Sequence, residues 1–178
     1  IDPLAPAEER TAQYGTLHRL DLDGADTVLA DDVMTSNGLA CDADDGVMYH
    51  VDTPRRLVWR FPVDTVDGRE REQFVSTEEY EGEPDGLAVA ADGSVWVAMA
   101  GGSVVVAWDA GGRRMAEIEV PQVLATAVAF GGDDLRSLYV LTGSSTDHPD
   151  PAGGSVYVMP APVAGLPGAV AKVRLPAA

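Results

Sequence analysis

Cysteine, basic side chains, aromatic rings and long apolar runs are all scarce in this sequence, and each scarcity closes off a class of protein. Cys41 stands alone among 178 residues, so an intrachain disulfide and a cysteine-based zinc cluster are both excluded. A reducing compartment, and with it a cytoplasmic location, is the expectation. Only 12 lysines and arginines face 29 acidic residues, for a net charge of −17. A field of that sign repels phosphate backbones and anionic headgroups, which argues against nucleic acid and membrane surfaces as partners. The same field gathers cations, so a divalent metal is the partner that charge favours. Apolar runs are short, as in Val104–Trp108, far below the roughly 18 to 20 residues that span a bilayer. No Gly-x-Ser-x-Gly elbow occurs, and none of the three histidines is spaced to pair with a serine, so a serine hydrolase is not expected. The sequence starts at Ile1 with no charged-then-apolar leader, and its true start is expected to be processed or absent.

The hydrophobic fraction of 46% suits a folded domain. Glycine and proline punctuate nearly every window, and the apolar positions alternate or fall in short valine-rich blocks, which predicts an all-β chain. Strands are expected at 16–21, 26–30, 38–42, 47–52, 57–62, 72–76, 86–90, 95–100, 103–109, 114–119, 126–130, 137–141 and 155–160. Asp23-Gly24, Asp45-Gly46, Asp67-Gly68, Asp92-Gly93 and Gly111-Gly112 supply the positive φ that tight hairpins need.

Three segments repeat one another through turn, strand, turn and strand, opening at Asn37, Asp85 and Thr126. A period in the forties with about four strands per unit is the mark of a propeller blade, and the length allows roughly four blades. The whole of 1–178 is read as one β-propeller domain, with 1–14 a loop or linker and 15–178 the blades. In such a fold the innermost strands line a central channel, so Asn37, Asp85 and Thr126 are expected to converge on it. Asn37 is the sole asparagine. An amide oxygen and a carboxylate facing each other across a channel suit a hard cation, although Asn-Gly and Asp-Gly are equally ordinary turn formers ahead of strands.

Several residues carry a bland reading. Cys41 is expected to be a small buried hydrophobe, and His50 to face a blade interior or the channel rim. Asp52 and Thr53, ending a strand, are within possible reach of the channel, but a structural role is the expectation. Residues 42–46 have the wrong ligand spacing for a calcium loop and read as a hairpin turn, and the acidic run at 78–83 reads as a solvated face.

The stretches Ser36-Asn37-Gly38-Leu39-Ala40, Met48-Tyr49-His50-Val51-Asp52-Thr53, Pro84-Asp85-Gly86-Leu87-Ala88-Val89, Val95-Trp96-Val97-Ala98, Ala129-Phe130-Gly131-Gly132-Asp133-Asp134-Leu135 and Leu138-Tyr139-Val140, in this order, resemble the SMP-30/gluconolactonase/luciferin-regenerating-enzyme family, also called regucalcin-like. The likeness runs from Gly15 to about Ala164 and corresponds to the family's C-terminal two-thirds. It implies a six-bladed propeller with about four blades in this chain and one divalent cation in the channel, Ca²⁺ first and Zn²⁺, Mn²⁺ or Mg²⁺ otherwise. It also implies hydrolysis of a sugar lactone. Asn37 and Asp85 match two of the family's metal ligands. The third, a glutamate, has no counterpart in these residues and is expected in N-terminal blades that would precede Ile1. A missing N-terminal fragment or another chain would then complete the ring.

The chemistry expected of such a site is a cation that polarises the lactone carbonyl and acidifies a water, with Asn37 as a neutral ligand. Asp85 would act as both ligand and general base. The alternative is a non-catalytic propeller, either a scaffold or a calcium-binding module.

Overall fold

The computed structural model describes residues 14–42 and 46–168, and every structural statement below concerns them. The expected loop at 1–14 lies almost wholly outside the described residues, as does the tip of the turn at 42–46. Thirteen strands follow one another: β1 (Gly15–Leu20), β2 (Asp26–Val33), β3 (Ser36–Asp42), β4 (Val47–Asp52), β5 (Leu57–Pro62), β6 (Glu72–Ser76), β7 (Glu83–Val89), β8 (Val95–Ala100), β9 (Val104–Trp108), β10 (Arg114–Glu119), β11 (Leu124–Gly131), β12 (Ser137–Gly143) and β13 (Val156–Pro160). A single 3-10 turn, Thr53–Arg55, joins β4 to β5. No helix among the described residues is long and apolar enough to cross a membrane.

The strands pair antiparallel with their sequence neighbours in four units: the hairpin β1–β2, blade I (β3–β4–β5–β6), blade II (β7–β8–β9–β10) and blade III (β11–β12–β13). A pairing of Leu124 with Ala100 links blade III to blade II. The architecture is that of a β-propeller, with two four-stranded blades flanked by a two-stranded and a three-stranded unit.

Blade II explains why its sequence reads as unbroken valine-rich runs. Val95, Val97 and Met99 of β8 and Val104, Val106 and Trp108 of β9 turn toward blade I, where they pack with Tyr49, Val51, Val58 and Val75. The alternate residues Trp96, Ala98, Val105 and Ala107 turn the other way and meet Ala125, Val128, Leu138 and Val140 of blade III. Successive side chains of a strand point to opposite faces, so a blade covered on both faces has no polar side to show. Each fully buried valine or methionine adds roughly 1.5–3 kcal/mol of transfer free energy. These two layers are the core.

The hairpin β1–β2 buries Leu29, Ala30 and Val33 of β2 and is also tied to blade I by charge. Arg71 makes a fork of two hydrogen bonds to Asp32, 2.6 and 2.8 Å, and lies 4.4 Å over the Trp59 ring. That bidentate pair holds the Asp32 carboxyl below its usual range.

One expectation fails here. Cys41 is exposed, not buried, because β3 turns Ala40 toward the core between blades I and II and Leu39 and Cys41 away from it, where among the described residues nothing covers them.

Candidate functional site

The inner strands β3, β7 and β11 lie side by side, and two glycines set how close they come. A Cβ on Gly38 would sit 2.5 Å from the Leu87 nitrogen and 2.6 Å from the Asp85 carbonyl oxygen. One on Gly86 would sit 2.8 Å from both the Ala127 Cα and the Thr126 carbonyl oxygen. Only glycine permits backbone against backbone at this range. The close approach carries Asn37, Asp85 and Thr126, each beside or opposite one of these glycines, to one end of the same trio of strands.

Each inner strand is also irregular at its polar residue. The pairing shifts between Ser36 and Leu39 against β4, between Pro84 and Leu87 against β8, and between Ala125 and Ala127 against β12. In every case one extra residue is inserted on the inner strand, the geometry of a β-bulge, which re-aims a side chain out of the regular alternation. The strands therefore begin earlier than the sequence suggests, and Asn37 and Asp85 lie inside strands rather than in turns ahead of them.

Asp85 is partly buried with no hydrogen bond or ion pair to its carboxylate among the described residues. Burial alone pushes its pKa up to about 6, as expected of a charge removed from water without compensation. Asn37 is exposed, and its Nδ2 donates to the Thr53 hydroxyl at 2.9 Å. That hydroxyl in turn donates to the Pro84 carbonyl at 2.8 Å. Among the described residues the amide oxygen of Asn37 has no hydrogen-bond partner, and it is a hard, neutral donor. Thr126 leans back on its own blade, with its hydroxyl donating to the Leu141 carbonyl at 3.3 Å.

Behind Asn37 the chain is anchored by buried groups. Asp52, 1% exposed, accepts from the Met34 and Thr35 amides at 3.1 and 3.0 Å and pairs with Arg55 at 3.1 Å. His50 is equally buried, within 2.8 Å of the Ser36 hydroxyl, and its desolvation lowers its pKa. Both residues fix the segment leading into Asn37, so the structural reading of Asp52 and the blade-interior reading of His50 stand. Thr53 is the residue that sequence reasoning undervalued. Its only signal was its place directly after the Tyr-His-Val-Asp strand.

No group of three or more His, Cys, Asp or Glu side chains suited to a metal exists among the described residues. What the site offers a hard cation is a pair of oxygens of the right chemistry, one carboxylate without a counter-charge and one free amide carbonyl. The acidic run at 78–83 is the solvated face expected, with Glu78, Glu79, Glu81 and Glu83 all exposed; Glu79 and Glu81 line an open cleft of about 420 Å³ with Glu117 and Glu119.

The family model for the SMP-30/gluconolactonase/LRE-like region matches residues 4–144. Pentonolactonase XacC of Haloferax volcanii is 36% identical over 172 residues, covering 90% of this chain and 59% of that protein. The 6-deoxy-6-sulfogluconolactonase of Pseudomonas putida is 38% identical over 136 residues, covering 75% of this chain and 46% of that protein. Among solved structures, regucalcin of Agrobacterium tumefaciens, described as a calcium-binding protein, superposes with a TM-score of 0.75 at 27% identity, covering 89% of this chain and 56% of that one. This chain thus spans about half the length of the curated relatives it matches. Bulged inner strands carrying Asn-Gly and Asp-Gly, together with these matches, establish that the chain belongs to the SMP-30/gluconolactonase/LRE-like family.

Proposed function

We propose that the intact protein hydrolyses a sugar lactone at the mouth of the channel, with Asn37 and Asp85 holding a divalent cation. One observation carries the reading: among the described residues, Asp85 has a partly buried carboxylate with no counter-charge, on the strand next to the one carrying Asn37, whose amide oxygen has no partner, and the Thr53 hydroxyl links that amide to the Pro84 carbonyl just before Asp85. Two lactonases among the relatives support the substrate class, and a neighbour described as a calcium-binding protein supports Ca²⁺ as the ion.

A cation bound there would stabilise the negative charge that develops on the carbonyl oxygen and lower the pKa of a nearby water. Asn37 contributes a ligand oxygen without charge, leaving the ion's positive charge available. Asp85 accepts a proton from the water that attacks the lactone carbonyl carbon. As the ring C–O bond breaks, that proton passes to the departing ring oxygen, giving the open hydroxy acid.

Exposed apolar residues at both ends of the described structure, Leu39 on β3 and Val156 and Val158 on β13, together with the relatives' greater length, support completion of the ring by further blades or another chain. A binding-only calcium module is the competing reading, favoured by that neighbour's description. Steady-state opening of gluconolactone by the intact protein and its Asp85→Asn variant separates the two. Turnover lost in the variant with an unchanged fold supports the lactonase, whereas Ca²⁺ binding without turnover in the wild type supports the module.

A further inference from the structure

We propose that Thr53 is a positioning residue that selects which end of the Asn37 amide faces the channel and ties blade I to the strand carrying Asp85; this rests on the cation reading above. A hydroxyl has one proton and its oxygen can also accept. The Pro84 carbonyl, 2.8 Å away, can only accept, so the Thr53 proton is committed to it. The Thr53 oxygen must then receive a proton from whatever lies opposite, and the Asn37 amide at 2.9 Å satisfies this only by presenting its NH₂. Turning that amide over would set a carbonyl oxygen against an oxygen with no proton to give. The relay therefore leaves Oδ1, the end suited to a hard cation, as the free end of the amide.

Thr53 is itself held firmly. Its backbone N–H donates to the Thr35 carbonyl at 3.2 Å, Pro54 follows it at the start of the 3-10 turn, and the preceding Asp52 carboxylate clamps the Met34 and Thr35 amides. Asn37 and Thr53 belong to blade I, whereas Pro84 belongs to blade II and immediately precedes Asp85. One hydroxyl thus fixes the orientation of one candidate ligand and its placement relative to the other. A partner that orients a ligand without touching the ion commonly controls metal affinity by about 10–100-fold.

The test is calorimetric titration of Ca²⁺ into the metal-free intact protein and its Thr53→Val, Thr53→Ser, Asn37→Ala and Asp85→Asn variants, with the thermal midpoint of each metal-free form recorded. Thr53→Val keeps the shape and removes the hydroxyl, and is expected to weaken Ca²⁺ by about 10–100-fold, with Thr53→Ser restoring wild-type affinity. A merely structural Thr53 would lower the midpoint and leave the affinity alone. Should Thr53→Val not fold, Thr53→Ala takes its place with the same expectation. Wild-type affinity in the hydroxyl-free variant, with Ca²⁺ still lost in Asn37→Ala and Asp85→Asn, overturns the positioning role and spares the cation reading. Failure of the wild type to bind Ca²⁺, or equal binding by Asp85→Asn, overturns the cation reading and the role of Thr53 with it.

Discussion

Desolvation without a counter-charge governs how Asp85 responds to pH. Its folded pKa of about 6 lies above the ordinary 3.8, so between those values the folded chain holds a proton that the unfolded chain has released. The metal-free protein should therefore lose stability as pH rises from about 4 to about 6. Asp85→Asn removes that slope and is expected to melt no lower than the wild type at pH 7 in the presence of chelator, measured by thermal unfolding across pH. Protons and cation compete for the same oxygens, so Ca²⁺ affinity should climb about tenfold per pH unit below 6 and level off above it. His50 works in the opposite sense. Its folded pKa is lowered from 6.5 by burial, so the unfolded chain protonates first and stability is lost as pH falls below about 6.5. The residue types at the site were legible in the sequence, because Asn37 and Asp85 open matching repeats. Two facts were not, since both depend on neighbours from other strands: that the Asp85 carboxylate is unpaired, and that the hydroxyl of Thr53 lies between the Asn37 amide and the Pro84 carbonyl. The exposure of Cys41 was hidden for the same reason, because a strand's own pattern does not say which of its faces another blade will cover.

Strand pairing accounts for most of what was legible and for what was not. Spacing of turn dipeptides and valine-rich blocks located β4, β5, β6, β8 and β10 to the residue. The inner strands were placed too late, at 38, 86 and 126 against Ser36, Glu83 and Leu124, because a bulge is a property of register between two strands and leaves little trace in one. Close packing of those strands makes Gly38 and Gly86 sensitive. Gly86→Ala would force a Cβ to 2.8 Å from the Ala127 Cα and the Thr126 carbonyl oxygen, and an overpacked contact of this kind costs about 1–3 kcal/mol. Chemical denaturation should register that loss, and Ca²⁺ affinity should fall with it because the ligand strands move apart. Met99 fills the layer between blades I and II, and Met99→Ala is expected to cost about 2–5 kcal/mol. The hairpin β1–β2 combines the buried Leu29, Ala30 and Val33 with the Arg71–Asp32 fork. Asp32→Asn should speed amide hydrogen exchange in β1 and β2 while leaving β8 and β9 protected.

A propeller lays its inner strands side by side, which is why Asn37 and Asp85, 48 positions apart in sequence, lie on adjacent inner strands, an arrangement that no local motif contains. The repeat period made the propeller readable. The number of blades in the intact ring is instead a property of the longer relatives, of which this chain spans about half. Net charge of −17 surrounds the channel with a field that draws cations in, so Ca²⁺ association should slow with added monovalent salt. The most direct test is the rate of gluconolactone opening by the intact protein, followed as proton release, after chelation and again after Ca²⁺ is restored. Activity that disappears with the chelator, returns with Ca²⁺ and never appears in Asp85→Asn is the predicted result. Opening of the lactone at an undiminished rate in the chelated protein, or in Asp85→Asn, would contradict a cation held by Asn37 and Asp85 as the basis of catalysis.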